Sequence, residues 1–159
     1  MTEDAKFEDG GEEPLRLKAL DADDLKIIAT LTQDAVFPIT EMSWQPGKRR
    51  FGLLLNRFRW EDRKRAADQG RKFERVQSLL VVGDVLKVAS SGINRADKET
   101  ILSLLEIAFT PDEDGSGRLE LVLAGDGAIA LEVECLDVSL SDVTRPYGAP
   151  SKRAPGHPE

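Results

Sequence analysis

The sequence predicts an α+β fold: one curved, mainly antiparallel sheet of about six to eight strands, with one or two helices on one face. Three observations lead there. Residues 128–143, AIALEVECLDVSLSDV, alternate apolar and polar side chains with the period of two that gives a strand one buried face. Residues 22 to about 34 combine a helical spacing of apolar side chains with a capping signal. Turn-forming Gly, Pro and Asp residues separate the other apolar runs at short intervals, as hairpin-connected strands require.

Along the chain, residues 1–14 are acidic and contain Gly, with Phe7 as the one large apolar side chain apart from the initiator methionine, and read as a disordered tail. Leu15, Leu17 and Ala19 alternate with Arg16 and Lys18, a short strand. Asp21 is placed to cap the helix that follows, and Asp23 and Asp24 favour its positive end. Leu25, Ile28, Ala29 and Thr32 share one face of that helix, widened by Ile27 and Leu31. From Val36 the period becomes two: Ile39–Trp44 reads as a strand, and Arg49–Glu61 as its return. Between them Gln45-Pro46-Gly47-Lys48 has the type II pattern, Pro fixing φ and Gly permitting φ > 0. The return strand changes phase near Asn56, from Phe51, Leu53 and Leu55 to Phe58 and Trp60, which reads as a bulge.

Residues 62–72, DRKRAADQGRK, offer no apolar anchor larger than alanine and read as an exposed, mobile connection. Val76–Val82 and Val85–Ala89 flank Gly83-Asp84 as a hairpin or one long bent strand. Asp97 caps a short helical turn over 98–102, and Leu105, Ile107 and Phe109 begin the next alternation. Leu119, Leu121 and Leu123 form another strand, and Gly125-Asp126-Gly127 turns the chain into residues 128–143. There Ile129, Leu131, Val133 and Cys135 form the inward set until the phase flips to Leu136, Val138 and Leu140, which calls for a bulge or sharp bend at Cys135–Leu136. Residues 145–159 are Pro-rich and read as a second disordered tail, leaving a single domain over 15–144. Residues 15–60 and 86–134 both suggest strand, capped helical segment, strand, turn, strand, a β-α-β-β pseudo-duplication.

A chain of 159 residues with 40% hydrophobic content can bury a real core. No run approaches the ~18 apolar residues of a membrane helix, and the acidic start lacks the basic and apolar regions of a signal peptide, so a cytoplasmic location without membrane association is expected. The single Cys135 excludes an internal disulfide and fits a reducing compartment.

Charge is the main functional lead. The chain carries a net −7, yet residues 48–75 hold eleven Lys and Arg against four acids. Arg57 and Arg59 share a strand face with Arg49 further down the row, and Arg63, Lys64 and Arg65 follow. Such a row suits an anionic partner, either an acidic protein surface or a nucleic acid, whose phosphates would release counterions on binding. Phe58 and Trp60 fall on the opposite face, where core packing is the simpler role. A solvated face neutralised by the acidic tail is the plain alternative.

Other chemistry has less to stand on. Asp112-Glu113-Asp114-Gly115-Ser116-Gly117 matches part of a calcium loop, but Leu123 occupies the position of the bidentate glutamate. His157 lies in the Pro-rich tail, and Cys135 reads as a core thiol. One Cys and one His make no zinc site, and neither glycine-rich phosphate signature is present. Glu132 and Glu134 share a strand face that is more simply the solvated side of a sheet. No catalytic residue, cofactor or metal ligand is therefore assigned. An enzyme with an unadvertised site is the third reading, after protein binding and nucleic-acid binding. Self-association through an edge strand is a further option.

At RRFGLLLNRFRWE (49–61), LLEIAFTPDEDGSG (104–117) and AIALEVECLDVSLSDV (128–143), the chain resembles a bacterial family catalogued as domain of unknown function 2948. The similarity runs from about Leu15 to the C-terminus. It implies a small, cytoplasmic, bacterial single-domain protein, and carries no activity or site residues onto these positions. The reading that follows is a non-enzymatic binding or accessory protein that docks an acidic protein partner on the basic strand and loop 49–75.

Overall fold

Alternating apolar residues become eleven strands in the computed structural model, which describes residues 14–148. The first four are β1 (Arg16–Ala19), β2 (Val36–Pro38), β3 (Met42–Gln45) and β4 (Arg50–Phe58). After these come β5 (Glu74–Val82), β6 (Val85–Ser91), β7 (Ile101–Pro111) and β8 (Gly117–Leu123). The series closes with β9 (Ala128–Val133), β10 (Val138–Asp142) and β11 (Tyr147–Gly148). Two short helices are present, α1 (Ala22–Leu31) and α2 (Arg63–Asp68). Every strand pair is antiparallel, in the order β1-β10-β5-β4-β2-β7-β8-β9-β6, with β3 beside β4 and β11 beside β5. The sheet is sheet-dominated α+β but does not close on itself, so β1 and β6 are its two ends.

The strand count exceeds expectation because runs that read as one strand are divided. The segment after Val36 breaks into β2, a 3-10 turn at Ile39–Glu41, and β3. The 128–143 run divides at its phase flip. Ile129, Leu131 and Val133 bury one side of β9, then Leu136, Val138 and Leu140 are buried from a different part of the sheet. β9 pairs with β8 and β6, whereas β10 pairs with β5 and β1. The bend therefore moves the chain from one end of the sheet to the other, and Cys135, expected in the core, is exposed at the bend. Gly83-Asp84 does the same for β5 and β6, which are not a hairpin: β5 lies between β4 and β10, and β6 beside β9.

α1 begins where the capping signal placed it. The Asp21 carboxylate accepts the Asp24 amide at 2.8 Å, satisfying one free N–H of the first turn. Leu25 and Ile28 enter the core, while Ile27 stays 54% exposed, outside the face it was expected to widen. The helix ends at Leu31 rather than 34, with Asp34 at φ 65°. The second half has no equivalent helix: residues 92–100 run as turns into β7, with the Asp97 carboxylate accepting the Glu99 amide, so the pseudo-duplication does not extend to the helical segment.

The β3–β4 connection is a 3-10 turn at Pro46–Lys48 closed by Arg49, the residue that takes the left-handed conformation at φ 52°. Gly47 does not need its freedom there, so the four-residue loop replaces the anticipated type II turn. Residues 63–68 of the anticipated mobile connection form α2, anchored by the buried Ala66. Past the boundary anticipated at 144, β11 pairs Tyr147 with Arg75 and Gly148 with Glu74. Of the tails expected over 1–14 and 145–159, residues 1–13 and 149–159 lie outside the described residues.

Candidate functional site

The basic segment sits on β4 and the turns at its two ends. β4 keeps one register with β5 from Phe51↔Val82 to Phe58↔Arg75, without the bulge expected at Asn56. Its inward row is Phe51, Leu53, Leu55 and then Arg57, so the guanidinium occupies a core position. Arg57 is fully buried because three elements surround it with acceptors. Its Nη2 donates to Asp142 Oδ1 at 3.0 Å, and Nη1 and Nη2 form a fork onto the two Glu61 oxygens at 2.9 Å each. Nε donates to the Ser78 hydroxyl at 3.0 Å. Burial pulls the guanidinium pKa down, but hydrogen bonds and attraction from Glu61 and Asp142 outweigh it, and the net direction is upward.

Arg59 is also buried, held by Glu74 and by Asp62 at 3.5 Å. Asp62 in turn accepts both Arg71 terminal nitrogens, at 3.1 and 3.2 Å, closing the α2 segment onto β4. Phe58 stacks edge-to-face on Trp60 at 4.7 Å between ring centroids and on Phe73 at 5.7 Å, while the Trp60 indole N–H donates to the Gln33 carbonyl. The open row anticipated along β4 is thus corrected: Arg57 and Arg59 are committed to internal ion pairs. Arg49, Arg63, Lys64 and Arg65 are exposed, and Arg49 is paired with Glu134 at 2.5 Å. These cations fall beyond opposite ends of β4, a strand roughly 25 Å long at about 3.3 Å per residue.

The outward row of β4 makes a second surface that the sequence reading did not single out. Arg50, Gly52 and Leu54 point away from the core. Cross-strand pairing sets Gly52 beside Val81 and Leu54 beside Leu79. Ser139 and Ser141 of β10 and Lys18 and Arg16 of β1 continue the same rows. α1 packs instead on β1, β7 and β10 through Leu25 and Ile28, which belong to the core. Leu79 is left 39% exposed. Leu54, Leu79 and Val81 line one shallow depression with Arg50, and Lys18, Lys48 and Arg50 line the next one along the face. Lys18 lies 3.5 Å from Asp137, whereas Lys48 and Arg50 make no ion pair among the described residues. The signal for this face was the parity of Leu54, Leu79 and Val81, which becomes readable only once their strands are known to be neighbours.

The remaining candidates have structural roles. The Cys135 thiol donates to Asp84 Oδ2 at 3.0 Å; that hydrogen bond, then burial and neighbouring carboxylates, push its pKa up and away from a reactive thiolate. The 112–117 loop joins β7 to β8, and its carboxylates accept from Ser116, which lowers the Asp114 pKa. Among the described residues no three Asp, Glu, Cys or His side chains gather as metal ligands. Glu132 faces solvent opposite Lys87, and Glu134 pairs with Arg49. His157 lies outside the described residues. Among the described residues no helix is long and apolar enough to cross a membrane.

Residues 15–157 match the model of a family described as Protein of unknown function (DUF2948). No curated protein and no solved structure matches the chain.

Proposed function

We propose, for a chain that belongs to the DUF2948 family, that it is a non-enzymatic binding or accessory protein whose outer sheet face docks an acidic protein partner. The observation that carries this reading is the Leu54–Leu79–Val81 patch, with Leu79 exposed on the sheet, bordered by Arg50, Lys48 and Lys18 and, further along the rim, by Glu41, Asp84 and Asp137. Apolar patches with a charged rim are the usual anatomy of a protein-binding face. Lys18 is paired with Asp137, but Lys48 and Arg50 make no ion pair among the described residues, and such cations favour carboxylates on the partner and speed its approach. The docking residues of the basic segment are then Lys48 and Arg50 at the β3–β4 turn, with Arg49 held by Glu134 and Arg57 and Arg59 fixing the strand beneath.

Nucleic acid is the weaker reading for the same reasons. Two of the six anticipated contact residues hold internal carboxylates, the other four are divided between the ends of β4, and a chain of net −7 repels a long phosphate polymer. The test is fluorescence anisotropy of labelled RNA and DNA oligonucleotides at low and near-physiological salt. Protein docking predicts no saturable binding at near-physiological salt. Tight binding that falls steeply with added salt would replace it with a phosphate-binding role.

A further inference from the structure

We infer that the cleft between β3 and β6 is a binding site for a small organic anion with an apolar body. β3 has its one ladder with β4 and β6 has its one ladder with β9, so each presents a strand edge without a partner. At one end the turn that follows β3 meets the start of β6, where the Val85 amide donates to the Arg49 carbonyl at 2.8 Å. Beyond that contact lies a half-open cleft of about 530 Å³, floored by Phe51 and Ile129, within the size range of pockets that hold drug-sized molecules.

The lining is amphipathic in a particular sense. Met42, Trp44, Val88 and the buried Ile129 supply apolar walls, and Arg95 and Lys98 are the charged groups at the rim, with no carboxylate among the lining residues. Neither Arg95 nor Lys98 makes an ion pair or side-chain hydrogen bond among the described residues, and the Trp44 indole N–H is likewise without an acceptor there, unlike that of Trp60. Two cations, the Trp44 indole N–H and the Thr40 and Ser90 hydroxyls, with no carboxylate in the lining of a partly apolar cavity, favour an anionic head on an apolar body.

The loop that carries both cations is held in place. At its start, Gly92 has φ +68° and approaches the 126–127 turn so closely that an added Cβ would lie 2.8 Å from the Asp126 carbonyl. At its end, the Ile39 amide donates to the Thr100 carbonyl at 2.9 Å, tying the loop to another lining residue. The backbone that carries Arg95 and Lys98 is therefore tied at both ends of the loop, which lowers the cost of ordering that backbone on binding.

The probe is 8-anilinonaphthalene-1-sulfonate, one sulfonate on an aromatic body, compared with its uncharged analogue N-phenyl-1-naphthylamine. Saturable binding of the sulfonate with quenching of tryptophan emission is expected. Arg95→Glu with Lys98→Glu, both on the exposed loop, should weaken the sulfonate about tenfold or more while changing the neutral dye little, the loss of two charge-assisted contacts. Energy transfer falls steeply with distance, so Trp44→Phe should remove most of the quenching and Trp60→Phe should keep most of it. Leu79→Asp, on the separate outer face, should leave sulfonate binding unchanged. Absence of saturable binding, equal affinity in the charge-reversed variant, quenching undiminished by Trp44→Phe, or loss of binding in Leu79→Asp would each overturn the assignment. The last of these leaves the docking face itself untouched as a reading, so the two proposals fail separately.

Discussion

Arg57 on β4 and Asp142 on β10 meet 3.0 Å apart across the intervening strand β5, both buried. Asp142 also accepts the Ser78 hydroxyl at 2.6 Å and the Leu15 amide at 2.9 Å, so one carboxylate fastens β4, β5, β10 and the start of β1. Removing it leaves a buried guanidinium with Glu61 as its remaining charged partner. Asp142→Ala should therefore cost about 3–5 kcal/mol of unfolding free energy, measured by urea denaturation. Arg57→Met combined with Asp142→Leu should recover much of that loss, since a packed apolar pair replaces a buried ion pair at little cost. Equal destabilisation in the single and double variants would refute this role for the pair.

The pH dependence of that pair follows from its direction of shift. The Arg57 pKa is raised in the folded chain, so its contribution is present below the unfolded value and is lost only as pH rises through the still higher folded value. Deprotonation of Arg57 should therefore produce no loss of stability between pH 7 and 10. A stability difference between the native chain and Arg57→Met that shrinks across this interval would contradict it.

The row that ends in Arg57 also shows what the sequence can and cannot disclose. Phe51, Leu53 and Leu55 announce their inward face by alternation alone, and Asp21 announces its helix by local hydrogen-bonding chemistry. Arg57 continues the inward parity, but an arginine reads as solvated unless its carboxylates are known. One of them, Glu61, is four residues away, and the other lies 85 positions along the chain. Asp62–Arg71 hid a helix in the same way, because α2 is held by ion pairs and a buried alanine rather than by an apolar stripe. The phase flip at Cys135–Leu136 was legible as a bend. That it carries the chain to another part of the sheet depends on pairing with β5, which no local pattern encodes.

Asp21→Ala removes the acceptor of the Asp24 amide at the start of α1. A loss of about 1 kcal/mol is expected, with the midpoint of thermal unfolding lowered and the circular-dichroism spectrum of the native state preserved. An unchanged midpoint would show that solvent replaces the cap at no cost.

Gly92→Ala places a side chain in the left-handed region and a methyl 2.8 Å from the Asp126 carbonyl. Strain and the contact together should cost more than about 1 kcal/mol, and the variant should also bind the sulfonate dye less tightly because the 92–100 loop must shift. Gly47→Ala, whose added Cβ meets nothing within 4 Å, is the control that should remain near the native stability.

Cys135 should alkylate slowly. Its thiol is raised by the hydrogen bond to Asp84, so the pH–rate profile with iodoacetamide should lie above that of an ordinary thiol near pH 8.5. Asp84→Asn should move the profile down. A profile already at the ordinary value in the native chain would contradict the hydrogen-bonded geometry.

The most direct test of the docking face is quantitative affinity capture from the native cell extract with three immobilised chains. These are the native protein, Arg50→Glu with Leu79→Asp on the outer face, and Arg63→Glu with Lys64→Glu and Arg65→Glu on α2, each first shown to be folded. An acidic protein should be retained by the native chain and by the α2 variant, and lost from the outer-face variant. Retention by all three, or loss from the α2 variant alone, would contradict it.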